Sequence, residues 1–164
     1  MLNILQLQTK VLSSKEQTLN YIEAYLKKFL HLQPDIVTLP EMFNCPYYNK
    51  SFLLYAEFKG DITYKFCQNL AKKYNIYLSA GSIPEKDAQN HLFNTAYVFD
   101  NNGNCIAKHR KMHLFDIDVK NGQHFKESDT LSAGNNITVF DTKWGKIGLC
   151  ICYDFRFPEL ARLM

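Results

Sequence analysis

The sequence predicts an α/β fold laid down in layers, and three observations predict it. Short apolar runs alternate with longer stretches whose apolar residues recur at helical spacing. Their order (strand, helix, strand, helix, strand, hairpin, strands, helix) fits neither a helical bundle nor a β-sandwich. The 164 residues suffice for one domain with a real core and are too few for two.

The elements follow in chain order. Residues 3–8 alternate apolar and polar as a strand does. Ser13 and Ser14 stand three residues before Glu16 and Gln17, two overlapping capping-box registers. Leu19, Ile22, Leu26, Phe29 and Leu30 then recur on one side, so a helix is expected over 15–31. Pro34-Asp35 breaks it, and residues 36–39 form a compact β-rich run ending at Pro40-Glu41. Gly60-Asp61 opens a second helix, with Ile62, Phe66, Leu70 and Tyr74 on one face. Residues 76–80 are the next strand. Residues 95–99 pair with 105–108 across Asp100-Asn101-Asn102-Gly103, a turn-rich hairpin tip. From 109 to 136 there is little periodicity, and so long a loop in a compact domain is usually functional or disordered. Strands over 137–140 and 147–151 flank Lys143-Trp144-Gly145, and a last helix starts at Phe157 with Pro158 in its first turn. The chain stops at Met164 inside that apolar helix without a cap, so it reads as truncated.

Composition narrows the function classes. Apolar residues make up 46% and charged ones 21%, the balance of an ordinary globular protein, without repeats or low-complexity segments. A formal charge of +3, with one short basic run at Lys108-His109-Arg110-Lys111, argues against nucleic acid or an anionic membrane as partner. The N-terminus reads as a strand and not as a leader, and no apolar run is long enough to span a membrane. Five cysteines, an odd number, fit free thiols in a reducing, cytoplasmic setting.

Chemistry concentrates where reactive residues follow apolar runs. Glu41 and Cys152 each stand just past a strand, where ligands gather in open α/β sheets. A cysteine at a strand-to-helix corner exposes its thiol, with the following N–H groups facing a developing oxyanion. Taken alone, Cys152 reads first as the small buried hydrophobe that most free cysteines are. Cys150, inside the strand, reads as core, and alternation within a strand turns the two thiols to opposite faces, against a shared metal. Glu41 alone reads as a solvated strand-end carboxylate, and Lys111 as part of a solvated basic loop. His109 and His113 lack the helix and third ligand that a metal site needs. A Cys–His dyad with His109, His113 or His124 as base stays open.

Three blocks change that balance. Leu39-Pro40-Glu41-Met42-Phe43-Asn44, the run from His109-Arg110-Lys111-Met112-His113 to Asp118, and Gly148-Leu149-Cys150-Ile151-Cys152-Tyr153-Asp154-Phe155-Arg156-Phe157-Pro158-Glu159-Leu160 resemble the signature blocks of the nitrilase superfamily, the carbon-nitrogen hydrolases. The resemblance covers essentially the whole chain, with the blocks in the family's order. It implies the front part of an α-β-β-α four-layer sandwich, so that 1–164 is the N-terminal portion of such a domain, with an apolar sheet face left bare. It implies a triad of Glu41 as base, Lys111 as oxyanion stabiliser and Cys152 as nucleophile, with Glu127 as the family's second, substrate-positioning glutamate. No metal or organic cofactor is implied.

Phe43-Asn44-Cys45-Pro46-Tyr47, His113-Leu114-Phe115-Asp116-Ile117-Asp118 and Glu127-Ser128-Asp129-Thr130-Leu131-Ser132 resemble the ω-amidase branch most. That branch hydrolyses the terminal amide of 2-oxoglutaramate and 2-oxosuccinamate, small amides carrying a carboxylate. The branch acting on deaminated glutathione is the alternative within enzymes, and a catalytically silent interaction module or a redox or metal-binding thiol protein the alternatives outside that chemistry. For the substrate carboxylate, Arg156 is the expected partner, against a structural pairing with Asp154 or Glu159, and Tyr47 a second, against aromatic packing. The N–H of Tyr153 joins Lys111 at the oxyanion. Asp154 reads as a structural polar group. The resemblance further implies a homodimer of the full-length protein through the helix after the nucleophile.

Overall fold

The computed structural model describes residues 1–120 and 122–164. Strand β1 (Ile4–Gln6) leads into helix α1 (Lys15–Lys27), and strand β2 (Ile36–Thr38) follows. Helix α2 (Asn49–Tyr55), strand β3 (Glu57–Phe58) and helix α3 (Ile62–Tyr74) come next, then strands β4 (Tyr77–Ser79), β5 (Ile83–Lys86), β6 (Leu92–Phe99) and β7 (Cys105–Arg110). The chain ends with strands β8 (Asp116–Asp118), β9 (His124–Lys126), β10 (Val139–Thr142) and β11 (Gly145–Gly148) and helix α4 (Pro158–Leu163).

Strands β1 to β7 form one seven-stranded sheet. Its β1–β2–β4 section is parallel, as crossovers through α1 and α3 require, and its β4–β6, β5–β6 and β6–β7 pairs are antiparallel. The hairpin expected between 95–99 and 105–108 is the central part of β6–β7. The pair β10–β11 is separate and antiparallel.

Packing explains the layers. Ser14 caps α1, accepting from the Gln17 N–H, and Leu19, Ile22 and Leu26 pack inward with Val37, Leu70, Leu78 and Phe99. Each such side chain contributes about 1.5–3 kcal/mol by leaving water. The opposite face of β6 and β7 offers Val98 and Ala107, and Phe140 of β10 packs there with Ile147 and Leu149 at its margin. The expected α/β layering is therefore present as a helix layer, a seven-stranded sheet and the two-stranded β10–β11 sheet packed on its other face, a nitrilase-like arrangement. Among the described residues no helix is long and apolar enough to cross a membrane.

Five sequence expectations need correction. Helix α1 stops at Lys27, and a separate short turn, Leu30–Leu32, takes the rest of 15–31. The buried face of α3 is Thr63, Cys67, Leu70 and Ala71, whereas Ile62 is exposed; strict four-residue steps drift round a helix of 3.6 residues per turn. Residues 42–59, for which the sequence predicts no element, hold α2 and β3, too short to show a period. The loop expected over 109–136 begins after Arg110 and contains the β8–β9 hairpin. The strand expected over 147–151 ends at Gly148, and Cys150, expected in the core, is exposed. Leu149 keeps one backbone bond, to Thr138 O, but regular pairing has ended, so alternation no longer predicts where the Cys150 side chain faces.

Candidate active site

Glu41 follows β2 by three residues, on a backbone held at both sides. The Leu39 N–H donates to Ser79 O, the Ser82 N–H donates to Pro40 O, and the Met42 N–H donates to the Ser82 hydroxyl. Gly81 makes this approach possible: at its φ of +51°, a Cβ would lie 2.0 Å from Pro40 O. Lys111 is fixed in a similar way at the end of β7. Its N–H donates to Asn94 O and its carbonyl accepts from Gly134, whose absent Cβ would lie 2.2 Å from Arg110 O.

These two turns bring Glu41, Lys111 and Glu127 together. The Lys111 ammonium is buried, 2.8 Å from Glu41 Oε1 and 3.0 Å from Glu127 Oε2. Burial works against its charge. The charge and hydrogen bond of Glu41, followed by those of Glu127, outweigh burial and hold the Lys111 pKa above its ordinary value. Asn94 of β6, also buried, donates from Nδ2 to Glu41 Oε1 at 2.8 Å. Glu127 follows β9 and is buried too; its Oε2 accepts from the Phe115 N–H at 2.6 Å.

Tyr47 joins the two carboxylates. Its hydroxyl is 2.5 Å from Glu127 Oε1 and 3.3 Å from Glu41 Oε1. A phenol has one proton, so the nearer Glu127 receives it. Burial and then the Glu41 charge push the Tyr47 pKa upward, and the hydroxyl stays protonated. Its ring packs edge-on against Phe52, the aromatic packing expected as the alternative, while its hydroxyl bonds to Glu127, a partner the sequence does not predict.

Cys152 opens a short 3-10 turn, Cys152–Arg156, directly after Ile151. Its φ is +45°, a left-handed conformation that costs a non-glycine residue about 1–3 kcal/mol. The bend leaves the thiol exposed on a cavity of about 570 Å³, lined also by Glu41, Tyr47, Phe115, Tyr153, Phe155 and Arg156. Burial raises the Cys152 pKa first, the Glu41 charge adds to that, and Lys111 opposes both. With two carboxylates against one ammonium nearby, the resting group is a thiol, which would need a base before it could act as a nucleophile.

The expected site residues separate into two tiers. Glu41, Tyr47, Cys152, Tyr153 and Arg156 line the cavity, and Lys111 and Glu127 lie behind it. Arg156 is exposed, and among the described residues no ion pair joins it to Asp154 or Glu159. The three histidines open as bases in a dyad face elsewhere: His109 and His113 bond to Asp154, and His124 meets Asp118 at 3.3 Å. Sequence reasoning missed Asn94, Phe115 and Phe155. Asn94 carried a signal, being an amide inside a run that is otherwise mostly apolar, whereas Phe115 and Phe155 lie within the resembling blocks but carry no reactive group to single them out.

Comparison with known proteins gives the same family throughout. The carbon-nitrogen hydrolase family model matches residues 2–164. The chain is 44% identical over 156 residues to Omega-amidase NIT3 of Saccharomyces cerevisiae, covering 91% of this chain and 54% of that protein. It is 46% identical over 158 residues to Omega-amidase NIT2 of Bos taurus, covering 96% and 56%. The crystal structure of Saccharomyces cerevisiae Nit3, a member of branch 10 of the nitrilase superfamily, superposes with a TM-score of 0.86 at 38% identity, over 99% of this chain and 59% of that one. A carbon-nitrogen hydrolase from Helicobacter pylori G27 superposes with a TM-score of 0.87 at 29% identity, over 99% and 55%. The chain thus spans about half the length of the curated relatives it matches.

Proposed function

The chain belongs to the carbon-nitrogen hydrolase family, and from that premise we propose that it carries the catalytic machinery of an amide hydrolase of the ω-amidase kind. The observation that carries the proposal is the buried Lys111 ammonium clasped by Glu41 and Glu127 beside a cavity that exposes Cys152. Glu41 takes the thiol proton while Cys152 Sγ attacks the amide carbon. Lys111 and the Tyr153 N–H stabilise the oxyanion, a role in which one donor typically contributes about 3–4 kcal/mol. The C–N bond then breaks, Glu41 returns the proton to nitrogen, and ammonia leaves a thioester on Cys152. Water gives a proton to Glu41 and its oxygen to the acyl carbon, and the thiolate departs and is reprotonated by Glu41.

For substrate we propose small amides bearing a carboxylate, such as 2-oxoglutaramate and 2-oxosuccinamate. The names of the relatives support the class, and Arg156, a cation on the cavity wall without an ion pair among the described residues, supports the carboxylate. The buried Glu127 acts through its bonds to Lys111, Tyr47 and the Phe115 N–H. A homodimer through the helix after the nucleophile, and a cytoplasmic setting for the five free thiols, complete the proposal. The test is ammonia release from succinamate by this chain beside its Cys152→Ala variant. Release that disappears in the variant supports the proposal; equal release from both contradicts it.

A further inference from the structure

Lys111 and Cys152 stand on different sheets: β7 belongs to the seven-stranded sheet, and the nucleophile turn follows the separate β10–β11 pair. A shared oxyanion site requires these two turns to keep a fixed distance. One side chain bonds to both. Asp154 is buried, two residues past the nucleophile. Its Oδ1 accepts from the Met112 N–H at 3.1 Å, the His113 N–H at 2.9 Å and His113 Nδ1 at 2.8 Å. Its Oδ2 accepts from the Ile151 N–H at 3.1 Å and His109 Nε2 at 3.1 Å. The backbone donors thus flank both reacting positions: Met112 and His113 come directly after Lys111, and Ile151 directly before Cys152.

We infer that Asp154 is a positioning residue, a brace that locks the Lys111 turn to the strained Cys152 turn and so fixes nucleophile against oxyanion stabiliser. It is absent from the lining of the substrate cavity and acts only through the groups it holds. The residue type fits the task. Five N–H donors converge on two oxygens, which an ionised carboxylate accepts and an amide cannot, since its NH₂ would face donors. Burial alone would raise the Asp154 pKa; the His109 bond first, with the Ile151 and His113 bonds, holds it down to about 2, so the carboxylate is ionised at working pH. His113 adds a second hold, its ring stacked at 3.6 Å on Phe157, where the nucleophile turn passes into α4. His109 is backed in turn by the Thr138 hydroxyl, 3.0 Å from Nδ1. The inference rests on the proposed function only in assuming that Lys111 and Cys152 act together.

The test reads the thiols of this chain directly, by iodoacetamide alkylation quantified for each cysteine as a function of pH. In the wild type, Cys152 sits beside Glu41, which disfavours its thiolate. Releasing the brace lets the turn leave that environment, so Asp154→Asn should alkylate at Cys152 about tenfold faster at neutral pH, with the titration midpoint moved down. His113→Phe keeps the ring stack, removes one donor, and should give about a threefold increase, since loss of a single hydrogen bond has a smaller effect. Cys45 and Cys67 are buried and report unfolding if they react. A carboxylate that only adds stability would leave the Cys152 midpoint unmoved in molecules that still protect Cys67. Unchanged Cys152 profiles in both variants would overturn the inference, as would an unfolded Asp154→Asn with an unchanged His113→Phe. An unfolded Asp154→Asn with a faster His113→Phe supports it. Since this readout needs no turnover, a chain silent on succinamate whose Cys152 responds this way would keep the brace and separate it from the substrate reading.

Discussion

The two halves of the candidate site are built differently. The Glu41–Lys111–Glu127 half sits on the seven-stranded sheet and the loop folded over it, with Lys111, Glu127 and Asn94 buried and bonded to one another. The Cys152 half sits on a short turn beyond a two-stranded pair, where Phe155 is 80% and Leu163 70% exposed. The charged half is fixed by packing from several sides, whereas the Cys152 half is held by the Asp154 bonds and carries a strained φ. Rigid charge and a separately held thiol make a site whose two parts fail for different reasons.

Substitutions should expose that asymmetry, most strongly in the charged half. Lys111→Met leaves two carboxylates facing each other without a cation and should cost about 3–5 kcal/mol in urea unfolding, besides removing activity. A loss below 1 kcal/mol would contradict the packing described for that half. The brace predicts a pH signature. Asp154 has a depressed pKa, about 2 against 3.8, so its stabilisation is complete above 3.8 and disappears as pH falls toward 2. That window corresponds to about 2 kcal/mol, and Asp154→Asn should flatten the acid side of the stability–pH curve. Smaller effects are expected at the cavity wall. Arg156→Gln should raise KM for succinamate about tenfold with kcat little changed, and leave a neutral amide such as butyramide unaffected. Phe155→Ala should change stability by less than about 0.5 kcal/mol, as an exposed side chain does, and register only in KM.

The same asymmetry governed what was legible in the sequence. Elements with long periods or turn residues, such as α1 and the β6–β7 hairpin, could be read from spacing. Glu41, Lys111 and Cys152 stood out only jointly, through three blocks, because each alone also fits a solvated strand end, a basic loop or a buried thiol. Cys150 reads as core from the sequence yet is exposed, because regular pairing stops at Gly148 and no residue type marks where a strand loses its partner. Tyr47 was expected at the substrate carboxylate, and its bond to Glu127 spans eighty residues of sequence that no local pattern connects. Asp154 was recognised as structural, but the donors that give it a task come from forty residues upstream, at Met112 and His113.

The most direct test of the central claim is to quench this chain during turnover of succinamate and find the acylated residue by peptide mass spectrometry. Cys152 should carry one succinyl group, which should be lost or strongly reduced in Glu41→Gln, where no base takes the thiol proton. Ammonia release with the succinyl group on Cys150, with no acyl-enzyme in the wild type, or with undiminished acylation of Glu41→Gln, would contradict a Cys152 thioester and the triad built around it.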